Sequence, residues 1–498
     1  MALLCKHPDL AGTIDAAIDY CDEEALLNLA DECLVRLETA EGIERVHLNY
    51  YKANCHGGIS SIHSHDPSFA WSWGQPHGIA EVLALRRAIR EPAFSKNSAI
   101  RVSQIRTNLA NRLNSLGRPI AANEQWLKAL DSTPYFAKAL YNRAIGIREY
   151  SARLYDKNHQ SILLAAARNQ ILGSLSDDAI WESNDRNNFV FLLQKQLADI
   201  ESYLSQDGFR EDYDLDQWEL GESTEEVSYR RWCLDNRLFL NPLNDAYDVS
   251  VAATDVLHLP NHTYGIDETL RFPAYFNLLK QEYVSARYRL YRALHLDEPE
   301  YIMKDVLLLS SGEGQVLGHH TEELRSAFRG AYSIFDKIAL FLSDYFQLGH
   351  KTSQVSFVGM WYSKARNSSS GLHSSFQDRQ NWPLRGLYFL SFDLNDDQFK
   401  NVAEPDSVDL AKLRNQAEHR FLSFQYLDNG ESTETHEQIG VDDFQRKTLR
   451  MLKLAREAIV YVSLAMHIEE ETRTRANEDP EKLSMPIFSR PIKFFGRF

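Results

Sequence analysis

The sequence lacks any apolar run long enough to cross a membrane. A membrane-spanning helix needs about 18 or more consecutive apolar residues, and the longest apolar stretch of this 498-residue chain, residues 458–466, is about half as long. The first residues, Met1 to Asp22, also lack the basic segment followed by an apolar run that marks a secretory signal. We therefore expect a protein that neither spans a membrane nor enters the secretory pathway.

Cysteine is scarce, and its pattern suggests no disulfide framework. The five cysteines are odd in number and irregularly spaced: Cys5, Cys21, Cys33, Cys55 and Cys233. This usage is typical of reduced thiols, so we expect a cytoplasmic protein. A chain of this length can bury a core without disulfides or a structural metal.

Positive charge is in deficit. The sequence has 54 Lys and Arg against 70 Asp and Glu, which gives a net charge of −16. A protein that binds nucleic-acid backbone over a broad surface needs a basic surface, so that class is excluded, whereas a local basic site is not. The glycine-rich loops that hold nucleotides, Gly-x-x-x-x-Gly-Lys and Gly-x-Gly-x-x-Gly after a strand, are missing as well.

Residues 106–134 follow the order of a tetratricopeptide repeat. Ala121 and Ala122 would let two helices pack closely, Gly117 would separate the helices, and Pro134 would end the second. A single repeat cannot bury its own apolar face, so neighbouring copies are required. We place degenerate copies near residues 20–57, 79–105 and 136–205; a plain irregular helical domain is the alternative.

The composition predicts four parts along the chain. A helical domain of tetratricopeptide-like repeats covers residues 1–205, an acidic linker and interdomain element 206–265, a second helical domain 266–476, and a partly ordered tail 477–498. The linker begins at an acidic stretch with few apolar residues, from Gln206 to Glu226. Within the first domain, Cys55-His-Gly-Gly58 and the polar residues from Ser60 to Ser68 predict turns.

Four amphipathic helices of bundle type are predicted in the second half, because apolar residues recur every three or four positions. The four stripes are Leu279, Tyr283, Ala286, Leu290 and Leu294; Ala331, Phe335, Ile338, Leu342 and Tyr345; Leu410, Leu413, Ala417, Phe421 and Phe424; and Leu449, Leu452, Ala455, Ile459, Val462 and Met466.

Arg414 and His419, on the third predicted bundle helix, are the residues best suited to chemistry. At about 100° per residue, Asn415 and His419 share a face nearly opposite the apolar stripe, with Arg414 to one side. Imidazole can exchange a proton at neutral pH, and guanidinium can bind a phosphate. Such a pair suits cleavage of RNA, whose 2′-hydroxyl can be the nucleophile without a metal. On residue types alone, however, this spacing more often marks a solvated face.

Arg414-Asn-x-x-x-His419 resembles the signature of the HEPN-domain ribonucleases, an arginine and a polar residue followed a few positions later by a histidine. Residues 276–288, 332–338 and Asn241-Pro-Leu-Asn-Asp245 resemble a bacterial HEPN subfamily in which the domain follows tetratricopeptide-like repeats. Residues 71–76 and 85–88 fit its N-terminal half. The fold class expected is therefore all-α: tetratricopeptide-like helical repeats followed by a HEPN-type four-helix bundle with inserted loops.

The resemblance implies a homodimer in which two motif helices face each other. Arg414 and His419 of both protomers would form one composite catalytic site, and Asn415 would orient or polarise the reacting groups. Glu282 and Asp336, on the first two bundle helices, could orient the arginine or the histidine, although solvated charges are the commoner explanation. The function implied is a metal-independent endoribonuclease of antiviral-defence or toxin type, without a cofactor, which leaves a 2′,3′-cyclic phosphate.

The partners expected are an RNA substrate, with tRNA and mRNA as candidates, and a protein trigger or inhibitor on the repeats; no membrane is involved. Single-stranded RNA loops are favoured because their bases can be splayed out. The alternative function is a non-catalytic HEPN dimer with a peptide-binding repeat scaffold. The net charge and the large repeat half favour this alternative somewhat.

Two other patterns compete with the HEPN motif. Arg366 and His373 also place a histidine after an arginine, but the intervening serines and glycine disfavour a helix and indicate a loop. A group of residues that could bind zinc consists of Cys55, His56, His63, His65 and His77. Its spacing fits no paired zinc-ligand pattern, so a polar loop with incidental histidines is favoured.

Overall fold

The computed structural model places most of the chain in helices. It describes residues 8–182, 186–210, 213–264, 271–295, 297, 300–309, 314–365, 367–395, 421–426, 436–476 and 483–485. In this described part, no helix is both long enough and apolar enough to cross a membrane.

The described residues fall into two compact units. The first lies within Met1–Ala152, Asn158–Tyr213 and Leu372–Lys412, and the second lies within Arg153–Lys157, Asp214–Gly371 and Leu413–Phe498. Residues 372–395 thus group with the N-terminal helices, although their place in the sequence is between the second and third predicted bundle helices. The domain boundaries proposed from composition stay a prediction.

The first unit is a region of paired helices. Its helices are α1 (Pro8–Asp19), α2 (Glu23–Leu37), α3 (Ile43–Ile62), α4 (Pro67–Ala70), α5 (Pro76–Arg90), α6 (Ala99–Ser115), α7 (Pro119–Ser132), α8 (Ala137–Ser151), α9 (Lys157–Leu175) and α10 (Arg186–Gln206), with a 3-10 helix at Phe94–Lys96. Helix α3 packs against α5, and α6 packs against α7. The expected paired-helix architecture is confirmed, and the assignment of the pairs to tetratricopeptide repeats stays a prediction.

Local sequence explains where these helices begin and end. The Asp22 side chain accepts a hydrogen bond from the Ala25 amide at 3.0 Å and caps α2, as short polar side chains do at helix starts. Pro119 occupies the first turn of α7, where its missing N–H costs nothing. Between α6 and α7, Gly117 adopts a φ of 89°, which favours glycine. The helix break predicted at Gly117 is confirmed.

The turn predicted at Cys55-His-Gly-Gly58 is wrong, because α3 runs through it to Ile62. The glycines serve packing rather than a turn. An ideal Cβ at Gly58 would lie 2.8 Å from Ile18 and 3.1 Å from Leu26, so its absence lets α1 and α2 approach α3. The packing therefore outweighs the low helix propensity of two adjacent glycines.

Helices α14 (Ser374–Gln377) and α15 (Trp382–Asn395) complete the first unit. A Cβ at Gly117 would overlap the carbonyl oxygen of Trp382, and a Cβ at Gly386 would overlap the carbonyl oxygen of Gly117. Two glycines thus allow the backbone of α15 to touch the turn between α6 and α7.

The second unit contains three long helices packed against each other. They are α12 (Arg271–His295), α13 (His319–Tyr345) and α16 (Val441–Ala476), and the shorter α11 (Thr224–Asp235) precedes them. Short 3-10 helices occur at Pro242–Asp245, Ser250–Ala252, Glu300–Ile302 and Thr352–Gln354. The predicted apolar stripes of the three long helices form the core; Tyr283, Phe335 and Ile459 are almost completely buried. Three of the four predicted bundle helices are confirmed.

Short strands accompany the second unit. They are β1 (His262–Tyr264), β2 (Gln315–Val316), β3 (Tyr362–Lys364), β4 (Asn367–Leu372), β5 (Phe421–Gln425), β6 (His436–Gly440) and β7 (Leu483–Met485). Strand β5 lies between β2 and β6: it is antiparallel to β2, with Val316 opposite Phe424, and parallel to β6, with Phe424 opposite Ile439. Strand β1 pairs antiparallel with β7, and β3 pairs with β4.

The helical prediction for Phe421 and Phe424 is wrong, since both lie in β5. Leu422, Ser423, Phe424 and Gln425 are all buried, which is the pattern of a strand covered on both faces rather than of an amphipathic helix. The Phe424 ring lies 5.0 Å from that of Phe444 at the start of α16. The rest of that predicted helix, from Leu410 to Ala417, lies outside the described residues.

Candidate functional site

The predicted catalytic residues Arg414, Asn415 and His419 lie outside the described residues, so their roles stay predictions. The described chain resumes at Phe421, where β5 begins two positions after His419. What the structure shows is therefore how the chain is held directly after the motif.

Arg325 of α13 holds the start of β5 in place. Its Nη2 donates a hydrogen bond of 2.7 Å to the carbonyl oxygen of Leu422, three positions after His419. The guanidinium also lies 5.2 Å from the centre of the Phe424 ring, within the range of a cation–π contact. Glu322, one turn earlier, accepts a further hydrogen bond from Arg325. Arg325 thus holds the segment that follows the motif against α13 at two points, the Leu422 carbonyl oxygen and the Phe424 ring.

The two proposed supporting carboxylates lie on the neighbouring helices α12 and α13. Glu282 of α12 accepts a hydrogen bond from Lys337 of α13, and about a third of its side chain is exposed. Asp336, which precedes Lys337, is half-buried. Lys337 therefore already neutralises Glu282. A role of either carboxylate in orienting Arg414 or His419 stays a prediction.

Two buried arginines, which sequence reasoning did not single out, hold the segment around the Asn-Pro motif. Arg287 of α12 forms a bidentate pair with Asp255, at 2.9 and 2.8 Å, and donates to the carbonyl oxygen of Leu238 at 2.9 Å. Arg456 of α16 donates to Asp245 at 2.6 Å and to the carbonyl oxygen of Asn241 at 3.0 Å.

These contacts give Asn241-Pro-Leu-Asn-Asp245 a structural role. Burial alone would raise the pKa of Asp255, but the Arg287 guanidinium outweighs it and lowers the pKa below its usual value. Both charges of this pair are therefore kept in the folded protein. The sequence contained a signal for this pair. Arg287 follows Tyr283 by one helical turn on the buried face of α12, and a buried arginine requires a buried partner.

The competing patterns receive no support as metal or catalytic sites. Within the described ranges, no group of three or more His, Cys, Asp or Glu could hold a metal ion. Cys55 and His56 lie in α3 rather than in a loop, and His56 Nδ1 is 3.3 Å from His77 Nδ1. Arg366 is outside the described residues, and His373 accepts a hydrogen bond from the Ser375 amide as the cap of α14. The segment between them is the strand β4, not a loop.

A comparison with protein families gives one match in this half of the chain. Residues 263–469 match the LA2681-like HEPN family. The matched span runs from β1 into α16 and includes Arg414, Asn415 and His419. No curated protein and no solved structure matches the chain. The C-terminal half of this chain therefore contains an LA2681-like HEPN domain.

Proposed function

We propose that the protein is a metal-independent endoribonuclease that acts through its HEPN domain in antiviral defence or as a toxin. HEPN domains bind RNA and are often ribonucleases. The observation that carries the proposal is the presence of Arg414-Asn-x-x-x-His419 within the span that matches the family. The substrate would be RNA, with loops of tRNA or mRNA as candidates.

The residue types of the motif account for the reaction. His419 would take the proton from a ribose 2′-hydroxyl, and the resulting oxygen would attack the adjacent phosphorus. Arg414 would bind the phosphate and the negative charge that develops on it, while Asn415 would orient the reacting groups. The bond to the 5′-oxygen breaks, and this oxygen takes up a proton. The products are a 2′,3′-cyclic phosphate and a 5′-hydroxyl.

A homodimer is part of the proposal, because HEPN domains often dimerise. Two motifs, one from each protomer, would then supply two histidines, one as base and one as acid. The helical first unit would recruit or respond to a protein trigger or inhibitor. Its separate core is compatible with such a regulatory role.

The test is incubation of the full chain with total RNA in EDTA. We expect fragments that end in 2′,3′-cyclic phosphate, and no fragments from Arg414→Ala or His419→Ala. General acid–base catalysis by histidine typically contributes about 10²–10⁴-fold. Arg475→Ala and His65→Ala serve as matched controls, since both residues are exposed. Cleavage that persists in both motif variants would contradict the proposal.

The alternative is a non-catalytic HEPN dimer with a peptide-binding scaffold. The net charge of −16 favours it, and so does a polar groove of the first unit that is lined by residues of α3, α6 and α8. RNA that stays intact at high protein concentration, with and without added peptide ligand, would favour this alternative.

A further inference from the structure

The second unit contains a groove with apolar walls between α12 and α13, with a volume of about 700 Å³. Tyr275 and Leu278 of α12 line one wall, and Leu340 of α13 lines the other. These large apolar side chains are 41%, 54% and 39% exposed. Single exposed apolar residues are ordinary on a protein surface, but several that line one groove mark a site where another group binds.

The charged side chains of the groove already have partners. Lys337 donates a hydrogen bond to Glu282, and Asp344 lies 3.0 Å from Arg271. The groove therefore lacks the surplus of positive charge that binding of a phosphodiester chain requires. Its occupant must be recognised mainly through apolar side chains.

The residues that follow β7 have the composition of such an occupant. The sequence Pro486-Ile-Phe-Ser-Arg-Pro-Ile-Lys-Phe-Phe-Gly-Arg-Phe498 lies outside the described residues. Six of its 13 side chains are isoleucine or phenylalanine, and burying each of them in an apolar site is worth about 1.5–3 kcal/mol. The segment has three basic and no acidic residues, whereas the whole chain has a net charge of −16. Opposite charge therefore draws this segment towards the rest of the protein.

The described residues fix the point at which this segment begins. Met485 lies opposite His262 in the antiparallel pair of β7 and β1. His262 precedes Arg271, the first residue of α12, by nine positions, and Tyr275 lies one turn further along the helix. Covalent geometry thus allows at most roughly 40 Å between Met485 and Tyr275, and 13 residues can extend over about 45 Å. The segment is therefore long enough to reach the groove of its own chain.

The ends of the three long helices also meet beside the groove. The Phe272 ring, at the start of α12, lies 5.3 Å from the ring of Tyr345, at the end of α13. The Arg473 guanidinium, in the last turn of α16, lies 4.4 Å from the centre of the same ring. Asp344, which lines the groove, directly precedes Tyr345. The chain thus leaves α16 at the end of the bundle where the groove lies.

We infer that residues 486–498 bind in the groove between α12 and α13 of their own chain. Their isoleucine and phenylalanine side chains cover the exposed apolar surface of Tyr275, Leu278 and Leu340, and the basic residues remain at the rim in contact with water. The inference does not depend on ribonuclease activity, because its test measures only the accessibility of the segment.

The experiment measures how fast trypsin cuts the full-length chain after Lys493, followed by mass spectrometry. We expect this bond to be cut at least tenfold more slowly in the chain than in a synthetic peptide of residues 486–498. Leu278→Gln and Leu340→Gln should each speed the cut in the chain at least fivefold, because a carboxamide in the groove disfavours burial of apolar side chains. Leu307→Gln, at a position that is 87% exposed and does not line the groove, is the matched control and should leave the rate unchanged.

A second arm changes the segment and leaves the groove intact. Ile487→Ser combined with Phe488→Ser removes two apolar side chains far from the cut bond, and we expect at least fivefold faster cleavage with unchanged thermal unfolding. Mixing this variant with Leu278→Gln supplies an intact groove and an intact segment on different chains, and should restore no protection. The inference is overturned if the chain is cut as fast as the free peptide or if the groove variants are cut like the wild type. Protection restored in the mixture would overturn it as well, because the occupant would then be the segment of a second copy.

Discussion

Asp393 of α15 accepts hydrogen bonds from Arg86 of α5, a residue 307 positions earlier in the chain. Arg86 Nη2 lies 3.0 Å from Asp393 Oδ2, and the two side chains are 6% and 1% exposed. Arg118 donates to the same carboxylate. Trp382 and Arg385 of α15 also donate to carbonyl oxygens at the end of α6. Buried charges and helix-end hydrogen bonds thus hold α15 in the first unit.

Asp393→Asn should strongly destabilise the first unit. The substitution leaves Arg86 and Arg118 buried without their counter-charge, and breaking a buried ion pair from one side costs about 3–5 kcal/mol. Urea unfolding followed by circular dichroism measures the loss. Asp378→Asn, at an exposed position near α14, is the matched control and should change little. Equal unfolding midpoints for the two variants would show that the contacts of Asp393 with Arg86 and Arg118 do not stabilise the first unit.

The same carboxylate predicts a dependence on pH. Burial would raise the pKa of Asp393, but Arg86 and Arg118 outweigh it and hold that pKa well below the usual range. The unfolded chain, with an Asp pKa of about 3.9, therefore takes up this proton first as the pH falls. The stabilisation by Asp393 is present above about pH 4 and is lost below it. Unfolding curves of wild type and Asp393→Asn should therefore converge on acidification, and a constant difference would contradict this.

Gly386→Ala should displace α15 from the turn between α6 and α7. The new methyl group would overlap the backbone carbonyl of Gly117, which cannot move aside as a flexible side chain would. We expect a loss of at least about 1–3 kcal/mol, the range for overpacking. Gly12→Ala in α1 is the control: a Cβ there meets nothing within 4 Å, so the variant should gain about 0.5–1 kcal/mol. Thermal unfolding measures whether Gly386→Ala lowers and Gly12→Ala raises the stability.

Periodicity in the sequence located the long helices because their cores are built from local stripes. The stripes through Tyr283, Phe335 and Ile459 are buried as predicted, and Gly117 marks a real helix break. The strand at Phe421 was missed because its burial depends on β2 and β6, which come from distant segments. Spacing within a single segment contains no information about such partners.

The sequence proposes the candidate site only through its residue types. The HEPN match contains the Arg414–His419 motif. The residues that contact the motif depend on the tertiary structure, so the motif alone does not identify them. Arg287 shows the same limit of prediction from local sequence. Arg287 lies visibly on an apolar helical face, whereas its partner Asp255 lies 32 positions earlier, outside any helix. Nothing in the local sequence could have paired them.

Arg287→Lys should not behave as a conservative substitution. A lysine cannot reproduce the bidentate pair with Asp255 together with the hydrogen bonds to Leu238 and Tyr229. We expect a loss on the order of 2–4 kcal/mol in the free energy of unfolding. Arg289→Lys, two positions later, is the control, since its half-exposed side chain contacts Glu323 only at 3.5 Å. Similar stabilities of the two variants would contradict a structural role of Arg287.

Glu282→Gln should have little effect on stability or on RNA cleavage. The Glu282–Lys337 pair is partly exposed, and such pairs contribute at most about 1 kcal/mol. Since the Glu282 carboxylate already accepts a hydrogen bond from Lys337, we expect Glu282→Gln to retain RNA cleavage, whereas His419→Ala abolishes it. A large fall in cleavage with unchanged unfolding would instead assign Glu282 a positioning role, which a shifted pH–rate profile would confirm.

The His56–His77 pair predicts that the first unit loses stability between pH 7 and 4. The two Nδ1 atoms are 3.3 Å apart, so one ring must donate and the other accept, which requires at least one neutral ring. Burial and, after it, the charge of His77 lower the pKa of His56 to about 4. The unfolded chain, with a histidine pKa of about 6.5, therefore binds this proton first as the pH falls, and folding becomes less favourable.

Because His56 is only half-buried, we expect a loss of only about 1–2 kcal/mol, complete near pH 4. His56→Gln removes this titration and should flatten the dependence of unfolding free energy on pH, whereas His65→Gln, at an exposed position, should leave its slope unchanged. Denaturant unfolding at pH 7, 6, 5 and 4 measures both slopes. Identical slopes in the wild type and His56→Gln would show that His56 protonates with equal ease in the folded and unfolded chains, and that the imidazole pair does not constrain folding.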